Sequence, residues 1–281
     1  MRINKKLVKH SFREKSFVHK EPQKYHPNKK MMSCVFQQRF GNNLFQIAAT
    51  VSHAEKHGYK YIFDNWRYSQ YFDWDLYFSS REKNQYQWVI YQEPNFFYDP
   101  INQIYLQMCL KGWFQSYKYL DKNLIARKFK PKQEILNYIR NKYSYLFNNE
   151  TTLTSIHVRR TDYFASDDHK VLEMEYYTPA INRINNNTTK FVVFSDDIEW
   201  CKNNFIGDKF VFIEGEEDYV DLFFMTLCHN NIIGNSTFSW WGAYLNNKSN
   251  KNVICPHASI WFNKNITGQD VCPKDWTTIT Y

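Results

Sequence analysis

The chain has 281 residues, a length that fits one large domain or two of moderate size. Its apolar share of 43% is enough for a core, and its net charge of +8 comes from 36 basic and 28 acidic residues. Residues 1–30 carry ten of the bases and two of the acids, so the remaining residues carry 26 of each. The sequence therefore excludes a strongly basic nucleic-acid groove on the fold and indicates a basic N-terminal tail.

The basic tail, residues 1–30, contains no apolar run long enough for a signal peptide or a membrane span. It is typical of a solvated, partly disordered extension, and its charge also allows weak contact with an anionic membrane or another polyanion. The six cysteines form no C-x-x-C pair and mostly have apolar neighbours, as buried free thiols do. We expect a cytoplasmic protein, at most peripheral to a membrane, without a specific nucleic-acid partner.

After the tail, the pattern predicts a strand, a glycine loop, a helix and a second strand, which together open a β-α-β fold. Residues 32–36 form a short apolar run typical of a buried strand, and Gly41 falls in the following loop. Residues 44–57 have helical spacing, and Gly58 stands where a helix C-terminal glycine belongs. Residues 59–63 are the next predicted strand.

Residues 64–120 are rich in Tyr, Trp, Asn and Gln and have weak periodicity, although residues 112–116 stand out as a compact segment. Residues 133–147 are predicted to be helical. Asp73 and Asp75 form a D-x-D pattern whose oxygen atoms would suit magnesium or manganese. Because the pair lies among aromatic residues and such short matches arise often by chance, we expect no metal site.

Three apolar strands in the second half each run directly into a polar cluster, and predicted helices, including residues 218–230, lie between them. The strands and clusters are 155–158 with 159–162, 191–194 with 195–197, and 231–234 with 235–239. Alternating strands and helices imply a parallel sheet, and ligands bind such sheets outside the C-terminal strand ends. We therefore expect the three clusters to meet at one site.

The first polar cluster contains Arg159 and Arg160, flanked by His157 and Asp162. Two guanidinium groups suit a diphosphate because each can donate two parallel hydrogen bonds to phosphate oxygens. The structural alternative is an ion pair with Asp162, and adjacent residues at a strand end point to opposite sides. The position after a buried strand favours phosphate binding.

The other two clusters have a structural and a binding interpretation, and the sequence leaves both open. Residues 195–197 can hold a base or ribose through carboxylates, or can simply cap the helix that starts near Ile198. Residues 235–237 precede a predicted helix at 238–245, whose first N–H groups would suit a phosphate. The acidic run at 214–221 is interpreted as a helix N-terminus favoured by the helix dipole.

Five blocks, in this order along the chain, resemble the α-1,2-fucosyltransferases of glycosyltransferase family 11. The blocks are Gly41-Asn42-Asn43-Leu44-Phe45-Gln46, Gly112-Trp113-Phe114-Gln115-Ser116, His157-Val158-Arg159-Arg160-Thr161-Asp162, Phe194-Ser195-Asp196-Asp197 and Ile233-Gly234-Asn235-Ser236-Thr237-Phe238-Ser239-Trp240-Trp241-Gly242. One H-x-R-R-x-D block alone is unspecific, whereas five ordered blocks are specific. One departure is Gln38, which stands where the family's opening G-R-L-G-N has its first glycine.

The resemblance implies the GT-B architecture, an α/β fold of two Rossmann-like halves with a cleft between them. Residues 31–150 would form the acceptor side, and residues 151–281 would bind GDP-fucose. The implied reaction transfers fucose, with inversion, to the 2-hydroxyl of a terminal galactose or similar sugar of a glycan, without a metal or other cofactor. The alternatives are a GT-B transferase that uses another nucleotide sugar and a degenerate glycan- or nucleotide-binding protein.

The resemblance and the residue chemistry together assign three groups of site residues. The catalytic group is Arg159, Asp162 and His157, with Asp162 as the first choice of general base or as the residue that holds the arginines. The donor group consists of Arg160, Ser195, Asp196, Asp197, Asn235, Ser236, Thr237 and Ser239, with Asp196 and Asp197 on the guanosine. The acceptor or cleft group consists of Gly41, Asn42, Phe45, Gln46 and Gln115.

Overall fold

The computed structural model describes residues 28–263 and 268–281. Residues 1–27 of the predicted tail, and any membrane or polyanion contact they make, lie outside the described residues. The strands are β1 (Met31–Cys34), β2 (Lys60–Tyr61), β3 (Val89–Gln92), β4 (Gln107–Lys111), β5 (Thr152–Val158), β6 (Thr189–Ser195), β7 (Phe210–Phe212), β8 (Asn230–Ile232), β9 (Val253–Pro256) and β10 (Thr277–Ile279). The α-helices are α1 (Phe40–His57), α2 (Ser80–Lys83), α3 (Lys122–Lys128), α4 (Gln133–Lys142), α5 (Met174–Ile184), α6 (Ile198–Asn204), α7 (Asp218–Leu227), α8 (Thr237–Tyr244) and α9 (Ala258–Trp261).

The strands form two sheets, and every pair of neighbouring strands is parallel. The first sheet has the order β2-β1-β4-β3, and the second has the order β10-β9-β8-β5-β6-β7. Parallel strands need crossover connections, and helices supply most of them here. The predicted α/β class with two parallel-sheet halves is confirmed.

Helix α1 begins earlier than the sequence pattern predicts. It spans Phe40–His57, so that Gly41 lies in its first turn and not in a loop. Asn43 holds this turn, because its side-chain amide donates to the Gln37 carbonyl at 3.0 Å. At the other end Gly58 has a φ of 70°, a left-handed conformation that glycine adopts without a steric cost, and this C-terminal cap was predicted.

The other predicted helices differ from the observed ones mainly at their ends. The predicted helix 133–147 stops at Lys142 and continues as a 3-10 turn at Ser144–Leu146. The predicted helix 218–230 stops at Leu227, because β8 already starts at Asn230. Helix α8 starts one residue early, at Thr237. All six cysteines are free, and all but Cys272 are buried, as expected.

The largest apolar core lies between the two sheets and includes side chains from both halves of the chain. The Phe45 ring on α1 lies 4.4 Å from the Trp240 ring and 5.1 Å from the Trp241 ring on α8, measured between centroids. Full burial of such a side chain contributes about 1.5–3 kcal/mol. The two halves therefore share one core, and the cleft between them is built into the packed structure.

The lengths and compositions of the described helices differ from those of membrane-spanning helices. Within residues 28–263 and 268–281, none combines the length and the apolar character that crossing a membrane requires.

Candidate functional site

A cleft of about 810 Å³ lies between the first turn of α1 and the C-terminal ends of the second sheet's strands. Its size fits a nucleotide-sized ligand. The predicted site residues that line it are Gly41, Asn42, Gln115, His157, Arg159, Asp162, Ser195, Asp196, Asn235, Ser236 and Thr237. The three strand-end clusters therefore meet at one site, as the parallel-sheet argument predicted.

Arg159 is the cation that the end of β5 presents to the cleft. Its Nε pairs with Asp162 Oδ1 at 2.7 Å and with Asp196 Oδ2 at 3.2 Å. In both contacts the guanidinium approaches the carboxylate through Nε, and the Arg159 side chain lines the cleft. Two carboxylates thus fix the orientation of a fork-shaped group that matches phosphate oxygens.

Arg160 points away from the cleft and does not line it, and its expected contact with the donor stays a prediction without a geometric observation behind it. Its guanidinium pairs with Glu173 at 2.8 Å and Asp197 at 3.2 Å, and lies 4.0 Å from the Trp200 ring centroid. The side chain is 7% exposed. Adjacent residues of an extended strand project to opposite sides, so the end of β5 does not bring both arginines to one ligand.

The two acids after β6, Asp196 and Asp197, accept hydrogen bonds from backbone N–H groups of the protein. Asp196 accepts hydrogen bonds from the backbone N–H groups of Arg160 (2.9 Å) and Thr161 (3.2 Å), although it also lines the cleft. Asp197 caps α6 by accepting from Trp200 N–H at 3.3 Å, and does not line the cleft. Of the two interpretations left open by the sequence, the capping role describes Asp197. Asp196 lies at the cleft and Asp197 does not, and the expected contact of these acids with guanosine stays a prediction.

The N-terminus of α8 forms the wall opposite Arg39 and the first turn of α1. Ser236 caps the helix by accepting from Phe238 N–H at 3.4 Å, and Asn235 is buried with its amide donating to the Lys170 carbonyl at 2.8 Å. Ser239 is fully buried, and its hydroxyl donates to the Ser236 carbonyl, so its expected contact with the donor stays a prediction that this geometry does not support. The first N–H groups and the dipole of α8 favour an anion at this wall.

The two halves of the chain touch at the floor of the cleft. A Cβ added to Gly41 would lie 2.6 Å from the Thr237 carbonyl carbon, so only glycine fits there. Asn42 Oδ1 accepts from Thr237 Oγ1 at 2.7 Å and from Gln115 Nε2 at 3.1 Å. These contacts fix the distance between α1 and α8.

Phe45 and Gln46, expected in the acceptor group, are buried beneath the cleft. Phe45 packs on the tryptophans of α8, and Gln46 Nε2 donates to the Gly112 carbonyl at 3.0 Å. Helix α1 is covered on nearly every side by the first sheet and by α8, so most of its side chains are internal. Their role is structural support of the first turn.

His157 and Asp221 are two cleft-lining groups that carry an unsatisfied polar atom. Among residues 28–263 and 268–281, neither His157 Nδ1 nor Asp221 Oδ1 has a hydrogen-bond partner, and both atoms are buried. Burial lowers the pKa of His157 to about 4, so the ring is neutral. Burial, with smaller effects of Glu216 and Asp218, raises the pKa of Asp221 to about 8. Unsatisfied buried groups are costly, and both groups line the cleft, so both are candidate ligand contacts.

Sequence reasoning missed Asp221, because its acidic neighbours suggested only a helix N-terminus. The available signal was its register: Asp221 follows the buried Val220 and precedes the buried Leu222 in an apolar helix. It also missed Arg39, Tyr163 and His169, which line the cleft. The carboxylate of Asp162 pairs with Arg39 Nη1 at 3.2 Å as well as with Arg159.

The D-x-D pattern does not mark a metal centre in the described structure. Asp75 Oδ1 lies 2.9 Å from Lys128 Nζ, which supplies its positive partner. Across the described ranges, no three His, Cys, Asp or Glu side chains are grouped so that they could hold a metal ion. The metal-independence of the site stays a prediction.

The chain is similar to a known sequence family and to several known glycosyltransferases. The model described as Glycosyl transferase family 11 matches residues 5–280. The O-antigen biosynthesis glycosyltransferase WbnK of Escherichia coli is 37% identical over 185 residues, which cover 59% of this chain and 60% of that protein. An α-1,2-colitosyltransferase of Escherichia coli is 32% identical over 223 residues, covering 66% of this chain and 75% of that protein.

A third relative is the galactoside α-(1,2)-fucosyltransferase 1 of Homo sapiens, 32% identical over 105 residues that cover 34% of this chain and 29% of that protein. A solved structure of an Arabidopsis thaliana FUT1 mutant in complex with GDP has a TM-score of 0.54 at 11% identity, over 80% of this chain and 70% of that one. This likeness concerns the fold alone, and it agrees with the implied GT-B architecture, which is confirmed. The resemblance inferred from the five blocks is confirmed as well.

Proposed function

This chain belongs to glycosyl transferase family 11, and on that premise we propose that it is an inverting fucosyltransferase. In this proposal it moves fucose from GDP-fucose to the 2-hydroxyl of a terminal galactose of a glycan. The α-1,2 linkage in the names of two relatives supports the regiochemistry. The observation that carries the proposal is Arg159, aimed by two carboxylates into a cleft that the N-terminus of α8 also lines.

The reaction is a single displacement at fucose C1. The acceptor hydroxyl oxygen forms the new bond to C1 as the bond from C1 to the diphosphate oxygen breaks, and the electron pair leaves with GDP. Negative charge grows on the diphosphate in the transition state. Arg159 and the first N–H groups of α8 stabilise that charge, and fixed donors of this kind contribute about 3–4 kcal/mol each.

Asp221 and His157 bind the guanine base in this proposal. The N1–H and 2-amino group of guanine form a pair of donors that a carboxylate accepts side by side. Asp221 supplies a buried carboxyl with an unsatisfied oxygen, and His157 supplies a neutral ring with an unsatisfied nitrogen. Donor binding would satisfy groups that the free protein leaves without partners. Residues 151–281 therefore form the donor side, and residues 31–150 close the acceptor side.

Asp162 is assigned to aiming Arg159 in preference to taking a proton. Both of its oxygens are in ion pairs, with Arg159 on one side and Arg39 on the other. Contact with the acceptor hydroxyl would require one of these two ion pairs to break. The 41% exposure of its side chain leaves it accessible to solvent but does not free an oxygen for the acceptor.

One relative supports a second candidate for the transferred sugar, colitose. The α-1,2-colitosyltransferase is 32% identical to this chain over 75% of its own length. The test incubates the protein with a panel of GDP- and UDP-sugars, including GDP-fucose and GDP-colitose, and with galactose-terminated acceptors. We expect transfer from GDP-fucose to give an α-1,2 product, unaffected by EDTA. Preference for another sugar would replace fucose, and binding without transfer or hydrolysis would indicate a degenerate member.

An EDTA arm addresses the metal separately. Activity that disappears with EDTA and returns with magnesium or manganese would contradict metal-independence while leaving the transfer reaction intact.

A further inference from the structure

His169 lies on the loop between β5 and α5, at the rim of the cleft. Its ring stacks on Tyr163 with centroids 4.4 Å apart, and lies 5.8 Å from the ring of Phe262. Asn263 pins the loop, because its N–H donates to the Asp168 carbonyl at 2.8 Å and its amide donates to the His169 carbonyl at 2.9 Å. The imidazole is therefore held in one place by packing and by backbone contacts.

A side-chain hydrogen bond also orients the ring of His169. Nδ1 lies 2.9 Å from Ser166 Oγ. In the tautomer with the hydrogen on Nδ1, this nitrogen donates to Ser166 and leaves a lone pair on Nε2. None of the hydrogen bonds within residues 28–263 and 268–281 uses Nε2. A base oriented through its other nitrogen is the arrangement that general-base histidines need.

The charge state of His169 suits the same role. Burial lowers its pKa below the ordinary value of 6.5, and Arg159 acts in the same direction. Asp168 on the same loop and Asp162 at the end of β5 act in the opposite direction. Among the residues that the structure describes, 28–263 and 268–281, these three are the charged groups that act on the ring. At neutral pH the imidazole is unprotonated and can accept a proton.

Apart from Asp168, which the test below addresses, the other acidic and histidine side chains of the cleft are committed elsewhere. Asp162 holds Arg159 and Arg39, and Asp196 holds Arg159 and the turn after β5. Asp218 accepts from the Tyr68 hydroxyl and pairs with Arg67. His157 and Asp221 are assigned to guanine. A proton acceptor for the incoming hydroxyl is still needed, and the rim beside the diphosphate-binding arginine is where an acceptor would enter.

We propose that His169 is the general base of the transfer reaction, an inference that rests on the proposed function. The acceptor's hydroxyl proton passes to Nε2 as its oxygen bonds to fucose C1 and the C1–phosphate bond breaks toward GDP. The resulting imidazolium releases its proton to water after the products leave. Ser166 is a positioning residue, because its hydroxyl orients the ring of His169 and does not line the cleft.

The test measures kcat/KM for a galactose-terminated acceptor against pH, at GDP-fucose concentrations that saturate the donor site at every pH, for the wild-type protein and for His169→Gln and His169→Ala. Wild-type activity should fall as pH drops below 6.5, since protonation removes the base. Both variants should lose about 100-fold or more and lose this acid limb, while GDP affinity stays within about twofold. Added imidazole should restore part of the His169→Ala activity.

Asp168→Asn serves as the matched variant, because Asp168 is the neighbouring carboxylate at the rim. It should keep the acid limb. An active wild type whose His169→Gln form keeps its rate within about threefold, or keeps the limb, overturns this inference alone. Loss of the limb in Asp168→Asn moves the base to that carboxylate. A wild type without transfer overturns the proposed function, and this inference with it.

Discussion

The two sheets contribute to the cleft in different ways. The second sheet ends in charged side chains, and Arg159 is oriented there by Asp162 and Asp196. The first sheet reaches the cleft through the first turn of α1, where Gly41 and Asn42 touch Thr237. In the proposed reaction the second half therefore supplies the chemistry of the donor, whereas the first half sets the width of the space in which it occurs. Substitutions in the two halves should differ accordingly.

The largest effect is expected for Arg159→Ala. Removing a cation that meets growing charge on the diphosphate should lower kcat by at least about 100-fold without changing the thermal midpoint. Arg160→Ala is the matched control, because Arg160 is buried among Glu173, Asp197 and Trp200. It should lower the midpoint of thermal unfolding instead. Near-normal turnover by Arg159→Ala would remove it from the site.

A smaller loss is expected for Asp221→Asn, and it should appear in donor affinity. Losing a hydrogen bond to a charged group costs about 1.5–3 kcal/mol, or roughly a 10- to 100-fold weaker GDP complex. Since the pKa of Asp221 is raised to about 8 and the carboxylate is the binding form, wild-type GDP affinity should fall as pH drops below 8. The variant should lack this pH dependence in calorimetric titrations.

Glu217→Gln is the matched control for Asp221, because Glu217 is an exposed acid of the same run. Its GDP affinity should equal that of the wild type. Equal weakening in both variants would show that only net charge matters there.

Gly41→Ala tests the contribution of the first half. The added methyl group would overlap the Thr237 backbone, so α1 and α8 must separate. A displacement of this kind should lower kcat/KM about tenfold and reduce stability by about 1–3 kcal/mol. Steady-state kinetics with thermal unfolding measures both. Activity within twofold of the wild type would mean that the cleft tolerates widening.

The smallest effect is expected for Arg39→Ala. The Arg39–Asp162 pair joins the two halves across 3.2 Å, but both side chains are largely exposed. Exposed ion pairs contribute at most about 1 kcal/mol, so kcat/KM should change by less than about fivefold. Kinetics at low and high salt would check this. A loss as large as that of Arg159→Ala would give the first half a share of the donor chemistry.

The same contrast explains what the sequence could predict. The strand-end clusters were predictable because apolar strands followed by polar residues are local patterns, and the parallel sheet then brings them together. The orientation of Arg160 was not predictable from the pattern, because a shift of one residue along a strand reverses the side to which a side chain points. Asp221, Phe45 and Gln46 depended on which surfaces of α7 and α1 are covered, and only tertiary packing decides that. The position of Gly41 in the first turn of α1 likewise depends on tertiary packing.

The core shared by Phe45, Trp240 and Trp241 has a consequence for chimeric enzymes. A donor half transplanted from a relative would bring its own α8, which would have to pack against an α1 from another parent. The two halves are therefore not interchangeable modules, even though each has its own sheet. A hybrid that alters acceptor choice should exchange loops at the rim and keep α1 and α8 from the same parent.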